Sequence, residues 1–148
     1  MNDKLAIVIL NYKSYEETLE EVKLCKELLG VACEDVIIID NASPNDSAKV
    51  LRKASKEQGL VFIKSEKNSG YAAGNNIGLR YAFEHGYRYA WILNNDIIIE
   101  DKAIIEKLID VFHADNTVAV VNPDIYAPDG HMYNRDSKRP SFFDLTLG

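Results

Sequence analysis

Short runs of branched apolar residues, separated by segments of helical periodicity, constrain this chain more than any other feature. "KLAIVIL" (4–10), "DVIIID" (35–40), "LVFIK" (60–64), "YAWIL" (89–93) and "TVAVVN" (117–122) each suit one strand and are too short for a helix. Their hydrophobicity is continuous rather than alternating, which marks strands buried on both faces of a parallel sheet. The segments between them carry helix start and stop signals. Ser14 with Glu17 makes a capping-box pattern ahead of Leu19, Val22, Cys25, Leu28 and Leu29, and Gly30 closes that helix. Asp46 is the expected cap of a helix over 47–58 that Gly59 ends. Tyr71 to His85 reads as a helix stopped by Gly86, and Asp101 as the cap of one reaching Asp115. "YAPDGHMY" (126–133) reads as a tight hairpin turn. Strands alternating with helices build βαβ units. The expected fold class is therefore α/β, a Rossmann-type three-layer sandwich with a mainly parallel sheet.

Composition bounds the partners. The 148 residues suffice for one domain with its own core, and no repeat or linker divides them. A net charge of −6, with "SKRP" around Arg139 the one short basic stretch, argues against nucleic acid as a partner. Cys25 and Cys33 form no CxxC and have no nearby histidine, so reduced structural thiols are expected. Only six apolar residues, Leu5–Leu10, precede Asn11, and no apolar run approaches the ~20 residues of a membrane span. A cytoplasmic protein without a transmembrane segment is the expectation. The tail "SFFDLTLG" (141–148) ends on apolar residues, which suggests a covered surface and a homo-oligomer.

In open parallel sheets, ligands sit at the carboxyl ends of the strands. Four runs here end in small polar groups: Asn11 and Tyr12, Asp40 and Asn41, Asn68 to Gly70, and Asn94 to Asp96. Any one of them alone reads as a loop or cap residue; four on one edge point to a ligand. No GK[ST] phosphate loop is present, and the turn after the first run is "NYKS" rather than a glycine-rich dinucleotide fingerprint. Gly70, Gly74 and Gly78 stand four apart. That spacing serves either a helix packed closely on the sheet or one that faces a ligand.

"AIVILNYKS", "VIIIDNAS", "NSGYAAGNNIG" and "WILNND" follow one another in this order. Together they resemble the nucleotide-sugar-binding half of the family-two inverting glycosyltransferases of GT-A fold, over most of residues 4 to 122. The segment from Asn68 to Asn76 with "LNND" is most similar to the rhamnosyltransferase-like branch. The resemblance implies a single GT-A domain over 1–148, without the C-terminal acceptor half. It implies transfer of a sugar, rhamnose included, from a dTDP- or UDP-sugar to a glycan or lipid-linked acceptor. It puts "NND" in the place of the family's metal motif, with Asp96 as the ligand of Mn2+ or Mg2+ and Asn94 and Asn95 near the ribose and diphosphate. Asn11 and Tyr12 would line the base pocket and Asp40 would accept a hydrogen bond from a pyrimidine. Asn41, Asn68, Gly70 and Asn76 complete the implied nucleotide site, and Asn75 stands where many members carry arginine.

The chemistry agrees with that implication. A nucleoside diphosphate gains negative charge as it leaves, and a divalent cation held by one or two carboxylates and the phosphates stabilises it. The transfer also needs a general base for the acceptor hydroxyl. Asp124, Asp129, Asp136 and Asp144 are available in the tail, and none has a context that assigns it; His131 is a further metal candidate that reads better as a solvated turn residue. Two other readings remain at this point. One is a non-catalytic nucleotide-binding module. The other is a nucleotidyltransferase, against which "NYKS" speaks.

Overall fold

Four of the five apolar runs become strands: β1 (Leu5–Asn11), β2 (Val36–Asp40), β3 (Val61–Lys64) and β4 (Tyr89–Leu93). All pair in parallel in the order β3-β2-β1-β4, with Asn11 beside Asp40 and Ile9 beside Leu93 in register. The structure is a computed structural model and describes residues 3–127 and 129–132. It divides into two compact units, Met1–Lys102 and Ala103–Gly148. The first contains the sheet with helices α1 (Tyr15–Glu27), α2 (Ser47–Gln58) and α3 (Tyr71–Glu84), plus a 3-10 turn at Cys33–Asp35.

Residues 6–9 and 36–40 are buried throughout, as continuous apolar runs in central strands require. Helices α1 and α2 pack on one face, and α3 packs on the other against Ala6, Val8, Ile37 and Ile39. This is the expected three-layer α/β arrangement. The chain steps from β1 through β2 to β3 and then returns over the opposite face to β4. The direction of winding therefore reverses between β1 and β4, and that reversal is the switch point where such sheets open a crevice.

The glycine spacing serves packing. A Cβ on Gly78 would lie 2.4 Å from Val8 Cγ1 and 2.7 Å from Ile39 Cδ1, and one on Gly74 would lie 2.6 Å from Leu10 Cδ1. Both glycines let α3 settle onto the sheet. Gly70 lies outside the helix at φ 89°, ψ 174°, a region essentially reserved for glycine.

Several local expectations are corrected. The capping box at Ser14 does not form: no side chain caps α1, and the Ser14 hydroxyl accepts a hydrogen bond from Asn95 instead. Asp46 occupies the cap position of α2 without a side-chain capping bond, and Asn45 Oδ1 accepts from the Ser47 amide at 3.2 Å. Asp101 is not the cap of α4 (Ile104–Ala114), the helix of the second unit; Ala103 holds that position, and its carbonyl accepts the first helical bond from Lys107 at 3.0 Å. The run at 117–122 is not a strand, since it has no ladder partner among the described residues and Val120 is 84% exposed. The hairpin turn is present in part: Tyr126 and Met132 form an antiparallel bridge, and the Ala127 amide donates to the His131 carbonyl at 2.8 Å.

Candidate functional site

The carboxyl edge of the sheet turns polar at the register position where the apolar runs stop. Asn11 ends β1 and Asp40 ends β2; both are fully buried on the face covered by α1 and α2. A buried polar group costs free energy unless it is hydrogen-bonded, and these two satisfy each other. Asn11 Nδ2 donates to Asp40 Oδ1 at 2.8 Å, and the Ser43 amide donates to Asp40 Oδ2 at 3.1 Å. Thr18 of α1 donates from Oγ1 to Asn11 Oδ1 at 3.1 Å. Asn95, just past β4, donates from Nδ2 to Thr18 Oγ1 and to Ser14 Oγ, both at 2.9 Å. The chain Asn95–Thr18–Asn11–Asp40–Ser43 thus runs across the ends of β4, β1 and β2, spanning the switch point.

Two non-glycine residues of this edge hold positive φ, Lys13 at 71° and Ala42 at 55°. Each such conformation costs ~1–3 kcal/mol and persists where the surroundings over-determine it. Here the Lys13 amide donates to Ser43 Oγ at 2.9 Å, and Asn45 Nδ2 donates to the Lys13 carbonyl at 2.9 Å. The loops after β1 and β2 are therefore strapped together in a strained form, which is common where loops are preorganised for binding.

A second cluster forms on the α3 side. Asn41 Nδ2 donates to Asn68 Oδ1 at 3.0 Å, and the Gly70 amide donates to the same oxygen at 2.9 Å. Tyr71, the first residue of α3, donates from its hydroxyl to Asn94 Oδ1 at 2.7 Å. That bond ties the start of α3 to the end of β4.

Asp96 is exposed beyond these contacts. Facing it electrostatically is Glu21 of α1, only 4% exposed, with Oε1 unpartnered among the described residues. Burial first, and the negative charge of Asp96 second, push the Glu21 carboxyl up to about 7. No group of three or more His, Cys, Asp or Glu among the described residues could cage a metal. One exposed carboxylate fits a hard cation that draws its remaining ligands from phosphate oxygens and water.

The expected site residues thus divide. Asn11, Asp40 and Asn95 share one network; Asn41, Asn68 and Gly70 share another; Asn94 and Asp96 lie at the end of β4. Tyr12 is 43% exposed, with Lys13 Nζ 4.9 Å from its ring centre. Asn76 is apart from these clusters: it is exposed on α3 and lines a groove of about 320 Å3 with Ile63 and Arg80. Its neighbour Asn75 is the buried one, with neither side-chain atom partnered among the described residues. Asp124 and Asp129 are exposed, and Asp129 Oδ1 accepts from the His131 amide in the turn. Asp136, Asp144, Arg139 and the 141–148 segment lie outside the described residues. Thr18, Ser43 and Glu21 escaped the sequence reading, and Ser14 enters it only as a helix cap. Thr18 and Glu21 left a signal, since they are polar residues on the same helical stripe as Val22 and Cys25.

Among the described residues, no helix is long and apolar enough to cross a membrane. The family model described as "Glycosyl transferase family 2" matches residues 6–147. The chain is 31% identical over 135 residues to the low-salt glycan biosynthesis hexosyltransferase Agl10 of Haloferax volcanii, which covers 90% of this chain and 40% of that protein. Its fold is similar to that of the mannosyltransferase PcManGT from Pyrobaculum calidifontis, solved with GDP-Man and Mn2+. That likeness has a TM-score of 0.62 at 18% identity and covers 78% of this chain and 33% of the other. The chain therefore spans less than half the length of either relative.

Proposed function

The chain belongs to glycosyl transferase family 2, and from that premise we propose that its carboxyl edge binds the nucleotide-diphosphate sugar that donates in a glycosyl transfer. The observation that carries this reading is the buried hydrogen-bond chain from Asn95 through Thr18 and Asn11 to Asp40, laid across the switch point beside an exposed Asp96. A sheet core does not bury the linked polar side chains of Asn11, Asp40 and Thr18 beneath a half-buried Asn95 for packing alone, since apolar residues of the same volume would pack there at lower cost. The network holds the loops after β1, β2 and β4 in one geometry before a ligand arrives, and such preorganisation lowers the cost of binding.

In this reading the donor is a UDP- or dTDP-linked hexose, rhamnose included. The transfer inverts the anomeric centre and delivers the sugar to a glycan or lipid-linked hydroxyl. Asp96 holds Mn2+ or Mg2+, which when bound neutralises charge growing on the departing diphosphate. Asn95 is fixed by Ser14 and Thr18, and Asn94 by Tyr71, so that the two amides preceding Asp96 have little rotamer freedom left to lose. Asp40 is fully buried, with one oxygen accepting from Asn11 and the other from the Ser43 amide, and so braces the loop at Ser43.

Calorimetric titration of UDP with and without manganese tests the reading. Manganese should tighten binding in the wild type, and Asp96→Ala should abolish that gain. A metal-dependent gain of equal size in Asp96→Ala would remove Asp96 from the role.

A further inference from the structure

Asn75 is 2% exposed, and it is the one side chain among the described residues whose carboxamide nitrogen and oxygen are both buried without a partner. Each such group carries a free-energy penalty, and native cores leave few of them. Leucine has a similar branched shape and a better helix propensity, so packing alone gives no reason for an amide at this position.

The direction of the side chain follows from the helix that carries it. Ile77 of α3 lines the groove beside Ile63 of β3, whereas a Cβ on Gly78 would meet Val8 of β1 and Ile39 of β2. One residue, about 100° around the helix, thus turns the facing side from β3 to the centre of the sheet. Gly74 faces Leu10 of β1, so the same step takes Asn75 to the β4 side, which α3 also touches. Leu10 follows Ile9, the register partner of Leu93 at the end of β4. The carboxamide therefore lies beside the passage from β4 into Asn94. Tyr71, one turn earlier on the same side of α3, spans that passage with its hydroxyl on Asn94 Oδ1 at 2.7 Å. Its ring is 58% exposed and is fastened by that one hydrogen bond among the described residues, which makes it a cover able to swing aside.

We propose that Asn75 reads hydroxyl groups of the transferred hexose, with Tyr71 as its cover. The inference rests on the donor-binding reading and deepens it. A carboxamide offers a donor and an acceptor side by side. Phosphate oxygens only accept, so they would use Nδ2 and leave Oδ1 facing negative charge. A cation would use Oδ1 and leave Nδ2 without an acceptor. Neighbouring hydroxyls both donate and accept, and they alone of these three satisfy the whole group. The hexose is the hydroxyl-bearing group joined to the diphosphate assigned to Asp96, and Asn75 stands beside the strand end that leads to Asp96. Asn75 is accordingly a specificity-determining residue for the sugar, and its orphaned atoms in the unliganded chain are the cost of that role.

The test uses the full chain with manganese. Calorimetry compares UDP, UDP-glucose and UDP-galactose in wild type, Asn75→Leu and Asn75→Ala, and thermal unfolding of the three unliganded proteins is measured alongside. The two substitutions bracket the volume of asparagine. The affinity of at least one UDP-hexose relative to UDP should fall by ~10-fold in both variants, the value of hydrogen bonds to a buried group, while UDP itself binds them as it binds the wild type. At least one variant should melt no lower than wild type, because each removes two unsatisfied buried atoms. An unchanged ratio of UDP-hexose to UDP affinity overturns the inference. So does an equal loss for UDP, which would make Asn75 a ribose or diphosphate contact. Lower melting of both variants, or failure of both to fold, overturns it too, since the amide would then be structural. Failure of all three nucleotides to bind the wild type overturns the donor-binding reading itself.

Discussion

Thr18→Val isolates the hydroxyl at the centre of the polar chain. Valine keeps the shape of threonine and its branched β-carbon, so packing and helix propensity change little. The lost group accepts from Asn95 Nδ2 at 2.9 Å and shares its single proton between Asn11 Oδ1 at 3.1 Å and the Ser14 carbonyl at 3.0 Å. Asn95 retains Ser14 Oγ at 2.9 Å, and the Ser14 carbonyl retains the Thr18 amide at 3.1 Å, so neither is orphaned. Asn11 Oδ1 is the group left without a donor, in a residue with no solvent exposure. Leaving a buried acceptor unsatisfied costs ~1–3 kcal/mol, and the central expectation is ~2 kcal/mol. In a chain of this size that lowers Tm by ~4–8 °C. Urea unfolding followed by circular dichroism measures it, with Thr18→Ser as the control that retains the hydroxyl. The affinity for UDP with manganese should fall as well, because Asn95 loses one of its tethers. A Thr18→Val stability within ~0.5 kcal/mol of wild type, the range of an ordinary surface substitution, would refute the view that this hydroxyl links the strand ends.

Gly78→Ala should destabilise by ~2 kcal/mol, since its Cβ would meet the stiff, fully buried Val8 and also Ile39, and overpacking of that kind outweighs the ~1 kcal/mol gain in helix propensity; Gly74→Ala should cost less, because Leu10 is only half-buried and its side chain can move. Denaturant midpoints of the two variants check the order. Glu21 introduces a pH dependence: its folded pKa of about 7 lies above the ordinary 4.5, so the native state keeps a proton that the unfolded chain releases. Its contribution is complete below pH ~4.5 and is lost as pH rises through ~7, amounting to ~3 kcal/mol. In metal-free buffer, unfolding free energies measured across that window should decline in the wild type and stay flatter in Glu21→Gln; parallel curves would contradict the assignment.

The alternation of buried runs and helical segments was legible because a central parallel strand has to be apolar on both faces, and residues 6–9 and 36–39 are. The run at 117–122 has the same composition and forms no strand, because β propensity expresses packing against neighbours and this segment has no ladder partner among the described residues. The polar strand ends were visible as residue types. Their partners were not: Asn11 and Asp40 look like separate loop or ligand-contact residues in the sequence, and the register of β1 against β2 pairs them with each other. Ser14 illustrates the same limit. Its spacing from Glu17 suggests a local cap, and a residue 81 positions away takes the hydroxyl. Local patterns cannot show which long-range donor wins.

The most direct test of donor binding at this edge is paramagnetic. Spectra of the 15N-labelled chain with UDP-hexose, titrated with small amounts of Mn2+, map the metal by the amide resonances it broadens. Broadening should centre on Asn94, Asn95 and Asp96, reach Asn11 to Ser14 more weakly, and spare the opposite end of the sheet around Lys4, Glu34 and Arg88. Omitting the nucleotide sugar should reduce the effect, because one carboxylate alone holds the ion poorly. Broadening centred away from residues 94–96, or unchanged in Asp96→Ala, would contradict the account.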